Sequence, residues 1–356
     1  MVTGQPGTYT VAELVPNGWA VTDISCEGQS QIPTYGDADV SVNLEAGETV
    51  ICTFENSAQG SITIEKLTQG GVGAFNFDSP ELGSFILDTD ANGNPDSATF
   101  SGLASGTYMF SETVASNWTL SDIQCSGASE GTTITIGGAG DFNPGDQGVT
   151  IDLANGDAVV CTFVNDADGM ITVTKLTDPA GSPQSFDFTG AITATLLDGD
   201  SSNPVMVPPG GYAVTESAVP GWDVTDISCS DDDSTGTGNT ANFVVAPGEV
   251  VNCTFTNTIQ RGTIIVDKVT DPAGSAQSFD FTLTGTNVNQ AFSLTDEAAP
   301  YNSGDLLPTS ENGAYNVAET LPAGWTASSV CSDGSDPGAV DLAPGEVVTC
   351  TFTNTI

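Results

Sequence analysis

Lysine occurs three times in this chain, each time in the same setting: GSITIEKLT (60–68), GMITVTKLT (169–177) and GTIIVDKVT (262–270). Read as extended strands, these segments put Lys66, Lys175 and Lys268 on the same face as their apolar neighbours, such as Ile264 and Val266 beside Lys268. The same parity in GTYMFSE (106–112), GGYAVTE (210–216) and GAYNVAE (313–319) turns Glu112, Glu216 and Glu319 inward. In VVCTFVN (159–165), VNCTFTN (251–257) and VTCTFTN (348–354) it turns Asn165, Asn257 and Asn354 inward. Three triads follow: Lys66–Glu112–Asn165, Lys175–Glu216–Asn257 and Lys268–Glu319–Asn354. A buried, unpaired lysine or carboxylate costs several kcal/mol, so these groups must satisfy or neutralise one another. Burial lowers the amine pKa and raises the acid pKa. The outcome is a nucleophilic neutral amine beside an acid able to polarise the Asn amide, and the product is a Lys–Asn isopeptide cross-link with loss of ammonia. Two plainer readings stand beside it: a buried ion pair hydrogen-bonded to Asn, and a lysine that snorkels to solvent at the strand end.

The strands that position these residues recur. The opening strand is used three times. The middle strand is used four times, with GTYTVAE (7–13) as the extra copy, and the closing strand four times, with VICTFEN (50–56). The repeats run 59–167, 168–260 and 261–356, and residues 1–58 are the back half of another, carrying Glu13 and Asn56 without a lysine. An open sandwich edge of that kind calls for completion, by preceding residues or by a strand from another chain. Each full unit has the size and turn-rich texture of a β-sandwich, and very short linkers such as NTIQRG (257–262) predict domains stacked end to end as a semi-rigid rod. Each unit also holds two cysteines, predicting the disulfides Cys26–Cys52, Cys125–Cys161, Cys229–Cys253 and Cys331–Cys350 and an oxidising, extracellular compartment. Each bridge contributes roughly 3 kcal/mol in the chain-entropy model. Zinc is the weaker alternative, since two thiols without histidine make a poor site. Trp19, Trp118, Trp222 and Trp325, each shortly before a first cysteine, read as core rings near the disulfide, with carbohydrate stacking as the alternative.

These three strands resemble the B-type repeats of collagen adhesins and the related prealbumin-like (transthyretin-like) domains of bacterial pilins and surface proteins. The resemblance spans all three full repeats and matches their Lys, Glu and Asn positions one by one. It implies that Lys of the first strand joins Asn of the last with help from the acid. It also implies an all-β fold, a tandem array of Ig-like or transthyretin-like β-sandwich domains. The function it implies is an extracellular structural protein, a rigid rod in a pilus-like or surface filament that self-associates. The stalk of an adhesin or ligand-binding surface protein is the alternative. Two departures stand out: disulfides share domains with the triads, and no LPxTG sorting signal follows the last strand.

Lys plus Arg total 4 against 46 acidic residues, a net charge of −42 that argues against nucleic acid or an anionic membrane as partner. No apolar stretch is long enough to insert into a membrane, and MVTGQPGTYT has neither the charged nor the apolar region of a signal peptide, so processing or a missing N-terminus is expected. The absence of histidine excludes Ser-His-Asp and Cys-His catalysis, and no unique two-carboxylate site breaks the repeat pattern, so the chain reads as no enzyme beyond single-turnover self-modification. No cofactor is expected, with one qualification: DTDANGNPD (88–96) matches the spacing of a calcium loop, with Asp88, Asp90, Asn92 and Asp96 as oxygen donors and Gly93 at the turn. Position twelve is Thr99 rather than Glu, and a solvated hairpin loop is the simpler reading. Asn117 and Asn252 match glycosylation sequons at a frequency close to chance.

Overall fold

Apolar–polar alternation broken by glycine and proline turns makes the fold almost all-β, and Thr309–Asn312 is the one helical turn among the described residues. The computed structural model describes residues 4–138 and 140–356. The chain divides into two compact units, one formed by residues up to Gly169 with Ala246–Glu249, the other by Met170–Val245 with Val250–Ile356.

In the first unit the opening strand Gly60–Gln69 lies between Asp96–Leu103 and the closing strand Ala158–Ala167, whose far edge takes Trp118–Ser126. The facing five-stranded sheet runs Thr133–Ile136, Gly148–Leu153, the middle strand Gly106–Thr113, Ala74–Asp78 and Phe85–Asp88. Between the sheets lies a core that includes Ile62, Ile64, Phe75, Phe77, Phe110 and Phe163. Residues before Gly60 form two smaller sheets: Gly7–Ala12 with Asp39–Leu44 and Thr34–Tyr35, and Trp19–Glu27 with Ile51–Ala58.

The second unit contains the same pair of layers twice. Gly169–Asp178 pairs with Val250–Ile259, and Thr263–Asp271 pairs with Val347–Thr355, each opposite a sheet that contains the middle strand, Gly210–Glu216 or Asn316–Thr320. Each pair of layers closes on its own apolar core.

One pairing governs the rest. Opening and closing strands run parallel, with Lys66 opposite Phe163, Lys175 opposite Phe255 and Lys268 opposite Phe352. Parallel neighbours need a long crossover, so each full repeat begins and ends on adjacent strands. The glycine that opens the motif is needed for close approach: a Cβ on Gly60 would lie 2.7 Å from the Asp157 carbonyl oxygen, and one on Gly262 would lie 2.8 Å from that of Glu346.

Candidate functional site: buried lysine, glutamate and asparagine

The inward parity read from the sequence holds at every position. Lys66 and Lys175 are 0% exposed and Lys268 is 2% exposed, and Glu112, Glu216, Asn165, Asn257 and Asn354 are buried with them. Snorkelling is therefore excluded. In the first full repeat Lys66 Nζ lies 3.6 Å from Glu112 Oε2, and it donates to the carbonyls of Leu67 (3.2 Å) and Phe163 (3.0 Å). The Asn165 amide donates to Glu112 Oε1. The second triad repeats this: Lys175 Nζ is 3.8 Å from Glu216 Oε2 and donates to Leu176 and Phe255, while Asn257 donates to Glu216. In the third, Lys268 Nζ is 3.8 Å from Glu319 Oε1 and donates to Val269 and Phe352, while Asn354 donates to Glu319 at 2.7 Å.

A phenylalanine ring closes over each ammonium: Phe75 at 4.6 Å, Phe186 at 4.2 Å and Phe279 at 4.2 Å from nitrogen to ring centre. Trp118, Trp222 and Trp325 pack edge-on against these rings. These three tryptophans thus pack against the core, whereas Trp19 is exposed, and their aromatic partner is the lid of the lysine pocket. The sequence signal for the lid was present but unused, as the recurring F-x-F of FNF (75–77), FDF (186–188) and FDF (279–281). A second missed feature pins the strand just past the lysine. The Thr68 amide donates to Asn94, that of Thr177 to Asp198 and that of Thr270 to Asp296.

Burial dominates the electrostatics. Desolvation outweighs the attraction of the glutamate and pushes Lys66 and Lys175 down to about 8, and it lowers Lys268 as well. The same desolvation raises Glu112, Glu216 and Glu319 against the pull of their lysines. Amine and acid therefore approach one another in proton affinity. Each constellation also leaves atoms buried without a hydrogen-bond partner: Asn165, Asn257 and Asn354 Oδ1, and Glu112, Glu216 and Glu319 Oε2. An unpartnered amide oxygen in a dry site is costly, and a half-turn of the amide would place Oδ1 where a protonated glutamate donates to it.

The four disulfides form as paired in the sequence, each joining residues directly opposite on antiparallel strands. In the half unit, Asn56 Nδ2 donates to Glu13 Oε1 at 2.6 Å. The 88–96 loop turns its acceptors inward: Asp88 Oδ1 accepts the backbone amides of Asp90 and Ala91, and Asp96 Oδ2 accepts the backbone amide of Asp88 and the side-chain Nδ2 of Asn92. Among the described residues, Asp88, Asp90 and Asp96 do not form a group whose carboxylate oxygens all lie within 4.8 Å of one another.

Against known families, the model of the prealbumin-like fold domain matches residues 1–58, 62–167, 171–259 and 264–356. The chain belongs to the prealbumin-like fold domain family. No curated protein matches the chain. Among solved structures, the Bacillus anthracis TIE protein aligns over 98% of this chain and 68% of its own at 15% identity and a TM-score of 0.37. The pilus adhesin SpaC of Lactobacillus rhamnosus GG aligns over 99% of this chain and 57% of its own at 12% identity and a TM-score of 0.36. The major pilin of Streptococcus pyogenes aligns over 54% of this chain and 99% of its own at 15% identity and a TM-score of 0.25. At these scores the functional weight rests on the residues of the prealbumin-like domains themselves.

Proposed function

We propose that this chain is a load-bearing element of an extracellular surface fibre of pilus type, in which each full repeat locks itself with a Lys–Asn isopeptide bond. The observation that carries the reading is the triple recurrence of an inward-facing Lys–Glu–Asn group, half-buried only at Glu319, that spans the first strand of a repeat and its last. The reacting state is the neutral amine beside the protonated acid. Lys Nζ attacks Asn Cγ, a Nζ–Cγ bond forms, the Cγ–Nδ2 bond breaks, and the glutamate carries the proton from the attacking nitrogen to the departing Nδ2, which leaves as ammonia. No redox partner is needed and the atoms balance. Glutamate donating to Asn Oδ1 stabilises the oxyanion as it develops.

Because the bond ties adjacent parallel strands, tension entering a repeat passes across it and the intervening sandwich is not pulled out. The disulfides fit an oxidising compartment outside the cytoplasm. The chain self-associates into a filament in this reading, and its chemistry is a single turnover on itself rather than catalysis on a substrate. The test is intact mass after reduction and denaturation. Loss of three ammonia molecules is expected, and an unshifted mass would leave only a buried ion pair.

A further inference from the structure

Trp19–Glu27, Trp118–Ser126, Trp222–Cys229 and Thr326–Cys331 are copies of one strand, each at the edge of its sheet beside a closing strand. The first three guard that edge in the same way. A bulge interrupts the pairing at Val21/Asp23, Leu120/Asp122 and Val224/Asp226, and an aspartate follows it each time. Bulges and charges keep an edge strand from recruiting a neighbour. The last copy has neither. WTASSVC (325–331) is one residue shorter than WTLSDIQC (118–125), and it pairs with Val347–Thr355 without a register shift, from Thr326 opposite Thr355 to Cys331 opposite Cys350. It carries no charge, in a chain of net charge −42.

This edge is also uncovered on its core side. Leu120 and Ile123 are buried, whereas Ala327 and Ser329, opposite the same Asn and Phe of the closing strand, are exposed. In the second full repeat Thr235–Thr237 extends the facing sheet on that side, and its Gly236 lies against Ile227. In the last repeat no strand extends the facing sheet there among the described residues. The Ser332 amide donates to the Thr349 carbonyl at 2.9 Å. Alternation along an antiparallel pair then turns the N–H and C=O of Ala327, Ser329 and Cys331 away from Val347–Thr355, toward the side where the sheet has no further strand.

We infer that Thr326–Cys331 is a strand-addition edge at which two copies of this chain pair antiparallel about a two-fold axis at Ser329. In that register Ser329 meets its own copy and Ala327 meets Cys331, so the residues whose backbone groups face outward are the ones that bond. The charge pattern selects the occupant. The corresponding edges elsewhere in a second copy present a bulge and an aspartate, and its surface carries most of 46 acidic residues against 4 basic. The stretch that fits without bringing carboxylates to the contact is the same uncharged edge. A contact that uses one patch twice closes at two copies, so it joins chains in pairs and does not by itself lengthen a fibre.

This inference gives a surface to the self-association proposed above and rests on that part of the reading, independently of the isopeptide bonds. Sedimentation of the full chain across protein and salt concentrations tests it. The expected result is a monomer–dimer equilibrium that tightens as salt screens the like charge, with the Ser329 amide exchanging its hydrogen more slowly in the dimer. Ser329→Pro removes the outward N–H without removing a bond to the closing strand and should abolish the dimer, whereas Ser329→Ala should keep it. A second variant, with TASSV (326–330) replaced by the bulged DVTDIS (223–228), should abolish it too. Association that survives both variants overturns this inference and leaves self-association through another surface. A chain that stays monomeric at every salt concentration overturns both.

Discussion

Glu112 sits between an amine that burial is trying to neutralise and an amide that must be polarised, so one substitution separates the chemistry from the packing. Glu112→Ala should leave the first full repeat unbonded and the other two bonded, making the chain one ammonia heavier relative to its composition than the wild type. Removing the carboxylate also leaves Lys66 buried alone, which should lower the stability of that repeat by about 3–5 kcal/mol, read by denaturant unfolding. Proton linkage gives a second check in the unbonded variant Asn165→Ala. Folded Lys66, near 8, binds fewer protons than an unfolded lysine at 10.5. Between those values the unfolded state is the more protonated, so stability should rise with pH across that window. A fall or a flat profile there would show that Lys66 stays charged in the folded repeat. The identities of these residues were legible from strand parity alone, because one slip of register would have sent all three groups to solvent. The direction of their proton shifts followed from burial; what parity could not give is the enclosure itself, with the Phe75 ring over the amine and the Phe163 carbonyl accepting from it.

At the scale of elements, the closing strand carries the disulfide of a repeat and, in the proposed reading, its isopeptide bond as well. Ala158–Ala167 faces Trp118–Ser126 through Cys161 and Cys125 on one edge and the lysine strand on the other. The disulfide closes a loop of 36 residues, for which chain entropy gives roughly 4 kcal/mol. In a chain already closed by the isopeptide bond that loop lies inside a larger one, so part of its entropic effect is already present. Cys125→Ser with Cys161→Ser should therefore lower the melting temperature of the first full repeat more in an Asn165→Ala background than in the wild type, as read by calorimetry. Equal losses would argue against a second closure. Strand order in the three full repeats could be anticipated from the recurring motifs, and the cysteine pairs from their count. In the 88–96 loop, Asp88 and Asp96 accept the loop's own amides, contacts that spacing alone does not specify.

Across the whole molecule, the proposed bonds would tie the ends of three full repeats, and the half unit without a lysine should then respond differently to force. Pulling single chains should give extension from the residues before Gly60 and none of full-repeat length from the others, and three full-length unfolding steps would refute the load-bearing role. Charge at this scale is also lopsided, with three of the four basic residues enclosed and Arg261 exposed. That distribution makes trypsin the sharpest probe of the central claim, because it cuts after a free lysine but not after one whose amine is an amide. Digestion of the reduced, denatured chain should cut after Arg261 alone and yield two pieces, with Lys66 found joined to Asn165, Lys175 to Asn257 and Lys268 to Asn354. Cleavage after Lys66, Lys175 and Lys268 as well would show free amines and contradict the account.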